Sequence, residues 1–222
     1  NSLGIRYRNG QGVEKNYGEA VKWYRLAAEK GNAFAQYNLG NCYHHGEGVE
    51  KNYEESVKWF RLSADQGDAD AQNRLGVCYS NGEGVEKNYE EALKWYRLSA
   101  DQGNANAQNR LGVCYSDGEG VEKNYEEAVK WFRLSADQGN ASAQNRLANC
   151  YYNGEGVEKN YEEAMKWYRL AAEKGYAIAQ NSLGDCYYHG EGVERKYEEA
   201  VKWFRLSADQ GDADAQYNLG IC

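Results

Sequence analysis

The apolar positions of this chain recur in two alternating helical patterns. Between 69 and 82 the small or apolar residues Ala71, Leu75, Cys78 and Gly82 stand at i, i+4, i+7 and i+11, one face of a helix. This spacing predicts a first helix from about Ala69 to Ser80, with Asp68 as its N-cap. Gly82-Glu83-Gly84-Val85 then turns the chain, with Val85 returning to the core. A second helix is predicted from Asn88. Its apolar set Tyr89, Ala92, Leu93, Trp95, Tyr96, Leu98 and Ala100 covers more than half the surface, as expected of a helix packed on two sides, and its tryptophan is expected in the core. Asn88 with Glu91 has the spacing of a capping box, Glu90 with Lys94 that of an i, i+4 ion pair, and Gly103 that of a C-terminal stop.

The whole unit repeats. Residues 69–103 return as 105–139 with only four differences, and the tryptophans Trp23, Trp59, Trp95, Trp131, Trp167 and Trp203 are each 36 residues apart. A fixed period of this size predicts an all-α solenoid of antiparallel helix pairs coiled into an α/α superhelix. Residues 1–222 are expected to form a single array of about six repeats. The chain opens at Leu3-Gly4 and closes at Leu219-Gly220, the same point of the unit, and is expected to be a piece cut in mid-repeat at both ends. Such uncapped ends favour head-to-tail self-association.

Composition narrows the function. The net charge of −8 disfavours nucleic acid, which attracts basic stripes, and no apolar run approaches the ~20 residues that cross a bilayer. Six cysteines occur once per unit at Cys42, Cys78, Cys114, Cys150, Cys186 and Cys222. Equivalent positions on stacked helices lie near 10 Å apart, beyond disulfide reach, so free buried thiols are expected. These lean towards a reducing, cytoplasmic setting. The mid-helix glycine at Gly76, replaced by Ala148 in another unit, marks a place where a second helix comes close.

The pattern A-x-A-Q-x-x-L-G-x-C-Y-x-x-G-E-G-V-x-K-x-Y-x-E-A-x-K-W-[YF] resembles the Sel-one-like repeat family, related to tetratricopeptide repeats, in every unit. The resemblance implies an α/α superhelix and non-catalytic work as an adaptor or scaffold. A cysteine-rich branch of that family staples its helices with paired cysteines. This chain has one cysteine per unit, so that branch's secretion and penicillin binding are not carried over, and a hydrolase remains only as an analogy.

Comparison between units locates candidate chemistry. Positions 34, 37, 38, 41, 44 and 45, with their equivalents, vary and share one face of the first helix, which in arrays of this type lines the concave surface. The candidate partner-binding residues are Phe34, Tyr37, Asn38, Asn41 and His44, followed by Asn73, Arg74 and Val77. The next unit offers Asn109, Arg110 and Val113, and the one after it Asn145, Arg146, Asn149 and Tyr152. Asn181, Asp185 and Tyr188 complete the set. Asparagines in register can pair with the main chain of an extended peptide, arginines can grip a carboxylate, and aromatics can anchor. The bland alternative is a solvated face whose arginines pair with Asp70 or neighbouring glutamates. No metal site, cofactor motif or catalytic grouping recurs, since adjacent His44 and His45 diverge by about 100° on a helix. The expected activity is therefore binding of a protein or peptide in the groove, without catalysis. A passive spacer or oligomerisation module is the competing reading.

Overall fold

The computed structural model describes residues 2–222, and among them the chain forms thirteen α-helices and no strand. It resolves into two compact units, Asn1–Ala107 with Glu119–Val121, and Gln108–Gly118 with Glu122–Cys222. The first unit contains α1 (Ser2–Asn9), α2 (Tyr17–Ala28), α3 (Ala33–His45), α4 (Tyr53–Ala64), α5 (Ala69–Asn81) and α6 (Tyr89–Asp101). Helix α7 (Ala105–Asp117) begins in the first unit and continues into the second. The second unit then holds α8 (Tyr125–Asp137), α9 (Ala141–Asn153), α10 (Tyr161–Glu173), α11 (Ala177–His189), α12 (Tyr197–Ala208) and α13 (Ala213–Ile221). In the first unit α1, α3 and α5, and in the second α9 and α11, pack most extensively on the even helix that follows, giving the expected all-α solenoid of helix pairs.

Local chemistry sets the helix boundaries. Asn16, Asn52, Asn88, Asn124 and Asn160 cap the even helices, each side chain accepting from the amide three residues on. The reciprocal half of the capping box is not formed. Asn88 N donates to the Tyr79 carbonyl at 2.9 Å, closing the inter-helix loop, and the Glu91 carboxylate pairs instead with Lys94 at 2.5 Å. The same i, i+3 lysine–glutamate pair recurs along the chain and replaces the predicted Glu90–Lys94 contact. Lys196 and Tyr176 supply no side-chain cap to α12 and α11.

The core is a series of small clusters rather than one mass. Its deepest rings are Tyr24, Phe60, Tyr96, Phe132 and Phe204, each directly following a tryptophan. The tryptophans themselves are half-buried or, at Trp23, 37% exposed, because they lie between neighbouring repeats rather than inside one. A β-carbon on Gly76 would lie 2.6 Å from the Tyr96 ring, and Gly40, Gly112 and Gly184 face Phe60, Phe132 and Phe204 in the same way. The close helix approach read from these positions is thus present. Five thiols are buried and free, and only Cys222 is exposed. Polar stitches cross between repeats: Ser63 Oγ donates to the Ala33 carbonyl at 2.8 Å, and Gln66 Nε2 to Gln36 Oε1 at 2.6 Å, with counterparts at Ser207 and Gln210.

Two glycines of the loop differ in what they tolerate. Gly84 has a φ of 71°, and a β-carbon there would fall within 3.0 Å of the Tyr53 carbonyl in the preceding repeat. Gly12 has a φ of 74° with no atom inside 4 Å. We predict that Gly12→Ala costs about 1–2 kcal/mol from the left-handed backbone alone. Gly84→Ala adds the steric clash and should cost about 3 kcal/mol or more. Urea unfolding of the two variants checks the difference, and equal losses would refute the role given to the backbone approach.

Candidate functional site

The odd helices carry the varied face. In the first unit, neighbouring odd helices meet side by side through Arg8, which donates to Asn38 Oδ1 at 3.4 Å. Asn38 is buried and donates to the Phe34 carbonyl at 2.7 Å. Phe34 is 46% exposed, while Tyr37 lies half-buried with its ring 6.0 Å from Phe60. Asn41 is buried, and its Oδ1 receives no donor from the described residues. On α5, Asn73 Oδ1 is likewise buried without a donor, Arg74 forms no salt bridge among the described residues, and Val77 is half-buried. Asp70, offered above as a partner for an arginine, instead accepts from Asn104 at 2.8 Å.

In the second unit Asn109 approaches Ser142 Oγ at 3.5 Å, so α7 and α9 also meet edge to edge. Asn109 Oδ1 and the Oδ1 of Asn145, a 95%-buried residue, receive no donor from the described residues. Arg110 is exposed, Val113 packs on the cluster around Phe132, and the Arg146 guanidinium lies 6.0 Å from the Phe132 ring. Asn149 accepts from Tyr168 Oη at 2.6 Å, and Tyr152 donates to Glu191 at 2.5 Å. Burial and that carboxylate push the Tyr152 phenol upward. Asn181 and Asp185 both accept from Asn218, at 3.0 and 3.3 Å, and Tyr188 meets Tyr197 edge-on at 5.2 Å. Asp185 and Tyr188 open onto a cleft of about 60 Å³ with His189, Phe204, Asn218 and Ile221. Burial raises the Asp185 carboxyl, opposed chiefly by His189.

The structure thus divides the predicted residues between buried positions, such as Asn38, Asn41 and Asn145, and exposed ones, such as Phe34 and Arg110, and adds groups that sequence reading missed. Asn218 and Ile221 complete the Asp185 cleft. Glu47, Glu83 and Glu191 meet Arg8, His44 and Tyr152 from the loop of the next repeat. Their identity between units made them read as turn residues only. Among the described residues no cluster of three His, Cys, Asp or Glu side chains could hold a metal, and no helix is long and apolar enough to cross a membrane.

Comparison with known proteins agrees with this geometry. The Sel1 repeat family model matches residues 1–32, 33–68, 69–104, 105–140, 141–176, 177–212 and 213–222. The crystal structure of a protective antigen of uropathogenic Escherichia coli, which displays an SLR fold, superposes with a TM-score of 0.89 at 44% identity, covering 98% of this chain and 47% of that one. A Sel1 repeat protein from Oxalobacter formigenes gives 0.86 at 38% identity, covering 93% and 83%. A sel1-like repeat-containing protein of Acanthamoeba polyphaga mimivirus is 50% identical over 40 residues, 18% of this chain and 8% of that protein.

Two predictions follow from the orphaned and titratable groups of α3. Asn149 has a phenol donor in Tyr168, whereas Asn41 faces the equivalent Phe60, which has none. Phe60→Tyr should stabilise the first unit by about 1 kcal/mol, and Tyr168→Phe should cost about 1–3 kcal/mol. Urea midpoints of both variants test this, and a destabilising Phe60→Tyr would refute it. His44 sits below its ordinary value of 6.5, from burial first and then from His45, Arg74 and Lys51, with Glu83 opposing. The unfolded chain therefore binds the proton first, and stability is lost as pH falls below 6.5. His44→Gln should flatten the stability profile between about pH 7 and pH 5, and parallel profiles for variant and parent would rule the effect out.

Proposed function

Since this chain belongs to the Sel1 repeat family, whose members generally act as non-catalytic protein–protein interaction scaffolds, we propose that it binds a peptide or protein surface along the face of its odd helices. The observation that carries this reading is the pair Arg74 and Arg146, at equivalent positions of α5 and α9 and without an ion pair among the described residues. Either guanidinium can grip an acidic group of the partner bidentately. Phe34 adds an exposed anchor in the first unit, and the Asp185 cleft a seat in the second.

The test is affinity enrichment from native lysate by the parent chain and by the Arg74→Ala, Arg146→Ala double variant, each first shown by circular dichroism to be folded. Direct affinity for the recovered protein, then measured with purified components, should fall about tenfold or more in the variant. Unchanged affinity would remove the arginines from the site, and no saturable partner for either protein would leave the spacer reading in its place.

A further inference from the structure

The last turn of an odd helix carries a residue that meets the glutamate of the next repeat's G-E-G loop. In the first unit Arg8 Nη2 lies 3.0 Å from Glu47 Oε2, and His44 Nε2 lies 3.9 Å from Glu83 Oε2. In the second, the Tyr152 hydroxyl donates to Glu191 at 2.5 Å. The occupants with rings use two further walls. His44 stands 5.1 Å from Tyr53 and 6.3 Å from Phe60, while Tyr152 stands 5.1 Å from Tyr161 and 6.4 Å from Tyr168. The seat is therefore a carboxylate at one end with two aromatic rings beside it.

At positions 80 and 116 the occupant is a serine. Its hydroxymethyl group lacks both the ring and the reach, and Ser116 turns its hydroxyl to the Val113 carbonyl and Asp117 instead. The carboxylates of Glu119, in the same unit as Ser80, and Glu155, in the same unit as Ser116, make no hydrogen bond or ion pair among the described residues. The walls persist as Tyr89 with Tyr96, and Tyr125 with Phe132.

We propose that the seats at Ser80/Tyr89/Glu119 and Ser116/Tyr125/Glu155 each receive a tyrosine side chain of a peptide partner. Its ring packs edge-on against Tyr89 or Tyr125, and its hydroxyl donates to Glu119 or Glu155, as Tyr152 does within the chain. The proposal rests on the scaffold reading above and names what the partner must carry. Each seat has a lysine beside its carboxylate. Lys87 stands 4.5 Å over Tyr89 and interacts electrostatically with Glu119. Lys123 holds the same place over Tyr125 near Glu155, and Arg146 lies over Phe132. A phenol adds no charge beside these cations, donates to the carboxylate and, in the second seat, stacks on the guanidinium; a cation competes for such a seat, as Arg8 holds the one at Glu47 with Lys15 4.8 Å over Tyr17.

The test is a selection from a random dodecapeptide phage library on the parent chain. Affinities of enriched peptides are then measured by fluorescence anisotropy on the parent and on three double variants. Ser80→Tyr with Ser116→Tyr fills the seats, Glu119→Ala with Glu155→Ala removes the acceptors, and Arg74→Ala with Arg146→Ala probes the wider face. We expect enriched peptides to contain a tyrosine whose exchange for phenylalanine weakens binding about fivefold, and both seat variants to weaken it about tenfold. Peptides that bind equally to the two seat variants, or that carry no required tyrosine, would overturn the seats while leaving the scaffold reading intact. Failure to enrich any binding peptide would overturn the tyrosine seats together with the peptide-binding form of that reading. The acceptor variant keeps the test decisive should the filled seat fail to fold.

Discussion

In repeat after repeat an aromatic ring lies directly against bare helix backbone. Tyr24 rests on Gly4, Phe60 on Gly40 and Tyr96 on Gly76 in the first unit, and Phe132 on Gly112 and Phe204 on Gly184 in the second. A glycine inside a helix costs about 1 kcal/mol in intrinsic propensity. Here that loss is offset by a ring packed against the helix axis, which sets the separation of the two helices and fixes the rotation of each. Where the backbone does carry a methyl group, at Ala148, the residue remains fully buried and the facing ring, Tyr168, reaches sideways to Asn149.

The rest of each unit takes its orientation from this contact. With the glycine stripe turned inward, Gln36, Gln72, Gln144 and Gln180 reach back to carbonyls ending the preceding even helix at 3.1 Å, and the serine stitches fall in register. The second loop glycine settles on the first carbonyl of the previous even helix. The opposite consequence is the odd-helix face. There the repeats differ in sequence, and there Phe34 and Arg110 stay exposed while Asn38, Asn41 and Asn145 are buried.

Much of this was legible from spacing alone, since the helix pairs, the asparagine caps, the glycine turns and the free thiols each follow from local rules repeated every 36 residues. What spacing could not decide was competition between partners of similar reach. Glu91 had a cap amide and two lysine registers within range, and the Tyr79 carbonyl removed the first option. The tryptophans looked like the core because they are large and regular, yet the ring after each one is deeper, because side-chain direction on a helix changes by about 100° per residue. The varied face was found by comparing units, but its contacts with the loop glutamates were not, because a position that is glutamate in every unit after Gln11 offers little contrast.

The buried thiols acquire a use from this arrangement. Burial pushes Cys42 and Cys150 up to about 11, and Cys78 and Cys186 up to about 12. At neutral pH almost none of any of them exists as the reactive thiolate, so alkylation has to wait for the surrounding helices to part. With one such sulfur at the same depth in successive repeats, labelling rates compare local opening along the array under matched chemistry. The chain carries its own evenly spaced set of reporters for where it breathes first.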